Sequence, residues 1–337
     1  MAERVHLAAN NPDLGGGEQV LVRTAAALVA LGRPVTVVSA DSTTEVLDAA
    51  SAVGADVVAI RAESRRDYLT RLRAWDRTER DGLLWCHGLV PSLATAGRAR
   101  RVVHLHQLPR SRAQWAALTV ARRGAERVLV PSDFLAGHVA GAESFANWTD
   151  DVTRRDGTGT GRRAGFMGRL ATDKGADLAA RACALLDVDL VVAGDDRWVP
   201  DEQRTPVAEA LAGLGARAHP VGRVTPARFF DEVDVAVFPS RVAESFGLVV
   251  AEAMAAGVPF VVSDAGALPE VAGPGHPWVA RSGDADDLAR MLGDVLATTP
   301  EEVRAVTDLA RARWEEHYSP QAGRLRVERL LSDLGVG

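Results

Sequence analysis

Short apolar runs that alternate with longer amphipathic segments restrict the fold of this chain more than any other feature of its sequence. In the first half, such runs lie at 4–9, 34–40, 55–60, 82–88, 101–107 and 126–132. They are typical of strands that are buried on both faces, and the periodic segments between them, such as 18–32 and 119–126, are typical of helices. The alternation predicts an α/β fold built on a doubly wound parallel sheet.

A polar segment interrupts this alternation near the middle of the chain. Residues 147–163 carry charge, glycine and threonine without an apolar period, so we predict an interdomain linker there. Strand-like runs resume at 164–170, 187–196, 216–224, 233–240 and 258–266. Because 337 residues exceed what one compact core usually holds, we expect two Rossmann-like domains of similar size, 1–146 and 164–318. The helical end of the chain contains Pro320, which we expect to kink or split the helix.

Charge and cysteine content exclude several classes of function. The net charge is −6, from 39 basic and 45 acidic side chains, which argues against a general affinity for nucleic acid. Cys86 and Cys183 lie far apart and belong to no CxxC pair, so neither a disulfide framework nor a zinc cluster is indicated. The first residues lack the layout of a signal peptide, and no apolar run approaches the ~18 residues of a membrane span. We therefore expect a reduced, cytoplasmic setting.

Three consecutive glycines, Gly15, Gly16 and Gly17, precede Glu18 and an amphipathic run. Glycine lets the backbone come close to a ligand, and the free N–H groups of a helix start attract negative charge. The stretch therefore predicts an anion-binding loop.

A second candidate anion site follows the strand-like run 164–170. Arg169 lies at the strand end and Lys174 about one short turn later, where a helix opens. Two cations beside a helix N-terminus, with the flexible Gly168 and Gly175, suit a diphosphate. The alternative is an exposed polar loop.

A third candidate lies after the run 233–240. Glu244 precedes a Ser-Phe-Gly turn, and Glu252 follows on a helix that we predict to begin near Gly247 and to end at Gly257. Carboxylates at these two places can address hydroxyls at separate parts of one extended ligand. The alternatives are a glutamate that complements the helix dipole and a solvated helix residue, although the apolar neighbours of Glu252 weaken the latter.

These segments together resemble the family 4 glycosyltransferases of the GT-B fold, which are retaining and use nucleotide sugars. The resemblance rests on GGGE near the N-terminus, followed in order by GRLATDKG, ESFGLVVAE and SDAGALPEV. Two glutamates separated by seven residues with FGL between them are its most specific part. It covers nearly the whole chain and is strongest in the second half.

The resemblance implies two Rossmann-like domains that face a central cleft. The C-terminal domain is expected to bind the nucleoside-diphosphate (NDP) sugar donor, with UDP and GDP as the first candidates, and the N-terminal domain to bind an unidentified small-molecule or lipid-linked acceptor. The last helix, at about 319–337, is expected to pack back on the N-terminal domain. No cofactor is expected besides the donor substrate.

The resemblance also implies roles for single residues. Arg169 and Lys174 would bind the diphosphate and stabilise the charge of the leaving group. Glu244 would contact hydroxyls of the donor sugar, and Glu252 would hold the ribose. The other implied contacts are the backbone of Phe246, Gly247 and Leu248 with sugar and phosphate, Gly222 and Arg223 near the nucleobase, and Gly16 and Gly17 closing over the phosphates from the opposite domain.

The sequence favours a reaction without a metal ion. A metal-dependent fold would carry a DxD motif after a strand, but Asp187 and Asp189 precede the apolar run of their segment. Fixed cations and helix N–H groups must then offset the charge on the departing diphosphate.

Three histidines of the first half are candidates for a site. His106 matches the position where the family carries a histidine near the donor sugar, and we expect it to orient that sugar by a hydrogen bond. A metal site is the alternative, because His104 and His106 form an HxH pattern on one face of a strand, but it lacks a convincing third ligand. We expect His104 to be buried and bonded to backbone, whereas His87 is compatible with an acceptor contact or a structural role.

Residues 61–80 contain seven arginines and four acids, with Tyr68, Leu72 and Trp75 on one helical face. Some family members that use lipid acceptors carry a basic amphipathic surface helix in this domain, which makes peripheral membrane contact one interpretation. We favour the other interpretation, an ordinary helix with its apolar stripe against the sheet.

Three alternative functions remain open from the sequence. The first is an NDP-sugar epimerase on the same fold, which uses similar diphosphate contacts without an acceptor. An NAD-dependent Rossmann enzyme ranks last, because its GxGxxG fingerprint requires glycine where Val20 stands. A non-catalytic nucleotide-binding module is the third.

Overall fold

A computed structural model describes residues 2–153 and 162–336 of the chain. It divides into two compact units, one of Met1–Trp148 with Pro320–Gly337 and one of Thr149–Ser319. Of the predicted linker 147–163, residues 154–161 lie outside the described residues.

The first unit is built on a parallel sheet of seven strands in the order β3-β2-β1-β4-β5-β6-β7. The strands are β1 (Val5–Ala8), β2 (Val35–Ala40), β3 (Asp56–Ile60), β4 (Leu83–His87), β5 (Arg101–His104), β6 (Arg127–Val130) and β7 (Glu143–Ser144). The helices between them are α1 (Gly16–Ala30), α2 (Glu45–Ala52), α3 (Arg65–Thr78), α4 (Leu89–Ala94), α5 (Arg112–Ala121) and α6 (Asp133–His138).

The second unit repeats this plan with six parallel strands in the order β10-β9-β8-β11-β12-β13. Its strands are β8 (Arg163–Met167), β9 (Asp189–Ala193), β10 (Ala218–Gly222), β11 (Val235–Phe238), β12 (Phe260–Ser263) and β13 (Val279–Ala280). Its helices are α7 (Ala176–Leu186), α8 (Asp201–Leu214), α9 (Pro226–Asp231), α10 (Leu248–Ala256), α11 (Leu268–Ala272), α12 (Ala285–Ala297) and α13 (Pro300–His317). The predicted pair of Rossmann-like domains is confirmed.

The prediction that the strands are buried on both faces is confirmed for the inner strands of the first sheet and is wrong for β3. Alternate residues of β1 enter different cores, Leu7 with α1 and Ala8 with α3, because successive side chains of a strand point to opposite faces. In β3, which lies at the edge of the sheet, Val57 is 43% exposed. An edge strand has a neighbour on one side only, so fewer elements cover it.

The end of the chain forms two helices, as the proline predicted. After α13, the last helix α14 (Pro320–Asp333) begins at Pro320, where the missing N–H group of proline is tolerated. α14 packs in the first unit against α1, and Gly323 lies against the indole of Trp148, where a Cβ atom would be 2.2 Å from the ring. Glycine thus permits the close approach of this helix.

The apolar stripe of α3 is directed into its own unit. Tyr68, Leu72 and Trp75 are buried, and the Tyr68 hydroxyl donates a hydrogen bond to the carbonyl of Ala9. The stripe is therefore not available to enter a lipid surface, which favours the interpretation of α3 as an ordinary sheet-packing helix. Among the described residues, no helix is both long enough and apolar enough to cross a bilayer.

Candidate active site

The loops that follow β8 and β11 meet at one edge of the second sheet. These strands pair in parallel, so their carboxyl ends lie side by side. The Nζ atom of Lys174, in the first loop, lies 2.6 Å from Oε1 of Glu244, in the second. The structure thus joins two residues that the sequence had assigned to separate parts of the ligand.

Lys174 is the only lysine of the chain. It ends the 3₁₀ turn Thr172–Lys174, and Gly175 follows with φ +76°. A Cβ atom on Gly175 would lie 2.0 Å from the carbonyl oxygen of Pro239. Only glycine combines this left-handed backbone with such a close approach, so Gly175 sets the distance between the two loops.

Glu244 is held by hydrogen bonds on its side chain and on its backbone. Ser240 Oγ donates to Glu244 Oε1 at 2.8 Å, and the N–H of Ala267 donates to the Glu244 carbonyl at 2.9 Å. Gly266 forms a parallel bridge with Glu244, and a Cβ atom there would lie 2.4 Å from the Glu244 nitrogen. The segment SDAGALPEV, which the resemblance had singled out, therefore supports the position of this carboxylate.

Arg169 lies beside the same 3₁₀ turn. Its guanidinium pairs with Asp173, four residues later, and its side chain remains 39% exposed. The cation is therefore held at the carboxyl end of β8 while part of it stays open to a ligand.

The helix α10 begins and ends where the sequence predicted. Gly247 is its N-cap with φ +100°, and Gly257 is its C-cap. A Cβ atom on Gly247 would lie 2.6 Å from Leu268, and the ring of Phe246 packs edge-on against Tyr318 at 5.3 Å. No acidic side chain lies in the first turn, which starts at Leu248, so the positive end of the helix dipole is not offset by an acid of the helix itself.

Glu252 lies in the middle of α10 and is 6% exposed. The alternative of a solvated helix residue is therefore wrong for this position. A buried carboxylate on a short helix that opens beside Glu244 is consistent with a binding role.

Sequence reasoning missed the ion pair that ties the two loops together. Arg241 donates to both carboxylate oxygens of Asp177 at 2.6 and 2.7 Å and to the carbonyl of Thr172 at 2.6 Å. Asp177 is 2% exposed. The available signal was that Arg241 directly follows the end of β11 and its adjoining proline and serine, where ligand-side loops of such sheets begin.

The loops after β9 and β10 also lie at the carboxyl edge. Gly222 has φ +67° and accepts a hydrogen bond from the Gly194 N–H at 2.9 Å. Asp195 lies 3.0 Å from Arg197 and 3.8 Å from Arg223. Burial acts to raise the pKa of Asp195, but the hydrogen bonds and charge of Arg197 prevail and lower it. Gly222 and Arg223 thus belong to a charged edge next to β9, on the side away from β8.

In the first unit, the predicted anion loop contacts a predicted site histidine. Gly16 is the first residue of α1, and Gly15 caps the helix without a side-chain hydrogen bond. A Cβ atom on Gly17 would lie 3.1 Å from the ring of His106. The glycines thus allow the helix start and the imidazole to approach each other closely.

His106 lies in a cluster with two other imidazoles. His87 ends β4 and His104 ends β5, and the two residues are paired in register. The Nδ1 atom of His87 lies 3.0 Å from Nε2 of His106, and the rings of His104 and His106 are 4.5 Å apart. Burial lowers the pKa of His106 to about 4. Burial also lowers the pKa values of His87 and His104 well below the usual range, and the neighbouring imidazoles add to that effect.

Two expectations about these histidines are wrong. His104 is fully buried, but neither of its ring nitrogens has a hydrogen-bond partner among the described residues, so it is not bonded to backbone. The expectation that the HxH pattern has no third ligand is also wrong, because the pairing of β4 with β5 places His87 beside it. The distance along the chain had hidden this neighbour.

Known proteins resemble this chain in both sequence and fold. Residues 161–298 match the family described as glycosyl transferases group 1. The D-inositol 3-phosphate glycosyltransferase of Mycolicibacterium vanbaalenii is 35% identical over 43% of this chain and 36% of its own length. The MMP alpha-(1->4)-mannosyltransferase of Mycolicibacterium hassiacum is 43% identical over 26% of this chain and 22% of its own length. The chain thus spans between about a fifth and just over a third of these curated relatives.

Solved structures match over almost the entire chain. Anabaena HepE in complex with UDP-glucose superposes with a TM-score of 0.84 at 18% identity, covering 98% of this chain and all of the other. Sucrose-phosphate synthase from Thermosynechococcus elongatus gives a TM-score of 0.83 at 18% identity, covering 99% of each chain. At this identity the likeness is one of fold, and that fold is GT-B.

The ion pair between Arg241 and Asp177 should contribute strongly to the stability of the second unit. We expect Arg241→Gln to lower the free energy of unfolding by about 3 kcal/mol, because it leaves a buried carboxylate without its partner. The matched control is Arg228→Gln, since Arg228 pairs with Glu232 on the surface, 66% and 36% exposed, and should change stability by less than about 0.5 kcal/mol. Urea unfolding of the three proteins measures both effects, and equal midpoints would contradict the assignment.

Proposed function

We propose that this chain, which has the GT-B fold and matches the group 1 glycosyl transferases over residues 161–298, transfers a sugar from an NDP-sugar to an acceptor with retention of the anomeric configuration. The observation that carries the proposal is the contact between Lys174 and Glu244 at the carboxyl ends of β8 and β11. It sets a cation and an anion 2.6 Å apart beside the N-terminus of α10. A donor needs both charges at this point, one for its diphosphate and one for its sugar.

The diphosphate is the leaving group, and its negative charge grows as the anomeric C–O bond breaks. Lys174 and Arg169 supply fixed cations, and the N–H groups at the start of α10 supply a positive dipole. Such preorganised charges stabilise the transition state without having to reorient during the reaction. In the first unit, Gly16 and Gly17 are proposed as further phosphate contacts, because glycine lets a ligand approach the backbone closely.

The sugar gains positive character as the same bond breaks. Glu244 accepts hydrogen bonds from sugar hydroxyls, and its negative charge stabilises the developing cation. The backbone of Phe246, Gly247 and Leu248 contacts sugar and phosphate. Glu252 holds the ribose, and Gly222 lies at the edge proposed for the nucleobase.

His106 is proposed to donate or accept a hydrogen bond at the donor sugar and so to orient it. Its lowered pKa keeps the imidazole neutral, so it adds no charge that would oppose the forming cation. The acceptor hydroxyl attacks the anomeric carbon, the bond to the diphosphate oxygen breaks, and the departing phosphate takes the proton of the acceptor. No separate protein base is required by this proton balance.

UDP is the first candidate for the nucleotide and GDP is the second. Structures of Anabaena HepE hold UDP-glucose and UDP, which supports testing uridine nucleotides first. The acceptor class proposed is a small molecule or a lipid-linked compound. A screen of NDP-sugars by thermal stabilisation selects the donor, because a ligand that binds only the native state raises its stability.

Lys174 should discriminate the diphosphate from the rest of the nucleotide. Lys174→Ala should weaken the affinity for UDP about tenfold or more, because a charge-assisted contact is lost, and should change the affinity for uridine less than about twofold. Calorimetry with both ligands measures the difference, with Arg181→Ala, a change on the exposed side of α7, as the control. Equal losses for the two ligands would remove Lys174 from the phosphate site.

The two glutamates should separate in their kinetics. Glu252→Gln should raise the donor KM and leave kcat nearly intact, because the ribose barely changes during the reaction and its contact is uniform binding. Glu244→Gln should lower kcat and kcat/KM together with little change in donor affinity, since the sugar charge develops in the transition state. Direct calorimetry of donor binding accompanies the kinetics. If Glu252→Gln lowered kcat and Glu244→Gln only raised the donor KM, the two roles would be reversed. If neither variant changed turnover or donor binding, the active site would lie elsewhere.

We propose further that transfer requires no metal ion. The basic groups at the ends of β8 and α10 offset the diphosphate charge, and Asp189 begins β9 instead of following it. Initial rates in excess EDTA should therefore equal or exceed the untreated rates. Loss of transfer that only magnesium or manganese restores would overturn this proposal.

A further inference from the structure

We propose that His87, His104 and His106 form a binding site for Zn²⁺ at the carboxyl ends of β4 and β5. One ring nitrogen from each of the three lies within 4.8 Å of the others. The site belongs to the first unit alone, and His106 is the one residue that it shares with the donor contacts proposed above.

The spacing of the nitrogens is close to that of a zinc centre. His87 Nδ1 and His106 Nε2 are 3.0 Å apart. Zinc binds imidazole nitrogen at about 2.0–2.1 Å in tetrahedral geometry, which sets two ligand nitrogens about 3.3 Å apart. The pair formed by His87 and His106 is thus near the zinc spacing, and His104, whose nitrogen lies within 4.8 Å of the other two, completes the set by rotation of its ring.

Rigid elements hold the three imidazoles in position. Strand pairing fixes His87 opposite His104, and the backbone of Gly17 backs the ring of His106. Trp85 packs on the other two rings with centroids at 5.9 and 6.1 Å, and Phe145 contacts His104 edge-on at 5.6 Å. An apolar wall of this kind limits the rotamers of the ligands and excludes competing water.

The cluster has unused hydrogen-bonding capacity. Four buried ring nitrogens have no hydrogen-bond partner among the described residues, namely Nε2 of His87, both nitrogens of His104 and Nδ1 of His106. A buried polar atom without a partner costs about 1–3 kcal/mol. Coordination through His87 Nδ1, His106 Nε2 and one nitrogen of His104 would give a partner to that nitrogen of His104, which the protein itself leaves without one.

The protonation state suits a metal. Burial favours the neutral imidazole at all three positions, and the neutral ring is the form that ligates. Three imidazoles without a nearby thiolate favour Zn²⁺ over the hard cations Ca²⁺ and Mg²⁺, which prefer oxygen ligands. His87 and His104 are buried whereas His106 is partly exposed, so water can reach a fourth coordination position.

Occupancy of the site would engage the imidazole that we assign to the donor sugar. Zinc should therefore inhibit transfer, and EDTA should reverse the inhibition. This consequence rests on the proposed function, whereas zinc binding itself does not.

The test uses the full chain without an affinity tag, stripped of metal by a chelator that is then removed. Calorimetric titration with ZnCl₂ should give one zinc per chain with a dissociation constant of about 1 µM or tighter. Titration with Co²⁺ should give the intense visible absorption of a four-coordinate ion, which zinc then abolishes by displacement. Because this spectrum is measured on the unaltered protein, it does not depend on the folding of any variant.

Substitutions assign the ligands. His104→Gln and His87→Gln should each weaken zinc binding by more than about tenfold. The matched control is His138→Gln, since His138 is exposed on α6 and bonds the Phe134 carbonyl, and it should bind zinc like the unaltered chain. No binding below 10 µM, a six-coordinate cobalt spectrum, or unchanged affinity in both cluster variants would overturn the zinc site. None of these results bears on donor binding, so the two proposals fail separately.

Discussion

The parallel pairing of β8 with β11 is the constraint on which the candidate active site depends. It sets the carboxyl ends of two strands on one edge, so loops that are 70 residues apart in sequence bring Lys174 within 2.6 Å of Glu244. The contact requires small residues nearby. Gly175 and Gly266 each lie where a Cβ atom would collide with the backbone of the opposing loop. The site is therefore defined by backbone approach as much as by its charged side chains.

The charges at this edge support one another. Arg241 neutralises the buried carboxylate of Asp177 and bonds the 3₁₀ turn that carries Lys174. Ser240 binds Glu244 and its own carbonyl accepts from Ser263 and Ser282 at 2.7 and 3.0 Å. The loop after β11 is thus held from three neighbouring segments. A cation and an anion held in this way are preorganised, as the proposed NDP-sugar donor requires.

In the first unit, parallel strand pairing also brings distant residues together, but here the residues are histidines. Parallel pairing of β4 with β5 sets His87 beside His104, and the chain beyond β5 returns His106 to the pair. Aromatic neighbours and burial keep the three rings neutral and leave several ring nitrogens without hydrogen bonds among the described residues. Such a cluster is unusual for a purely structural core, because apolar side chains would fill the same space without the cost of desolvation.

The sequence by itself determined the class of fold, the strands other than the two-residue β7 and β13, the limits of α10 at Gly247 and Gly257, and the residue types at the strand ends, because these follow from local periodicity, capping and loop chemistry. It predicted burial on both faces wrongly for β3, since edge position is a property of strand order. Only the tertiary structure decided that Lys174 pairs with Glu244, that Arg241 pairs with Asp177, and that His87 completes the HxH pattern. These contacts join residues far apart in the chain, and strand order and register, which no local pattern encodes, determine which of them meet.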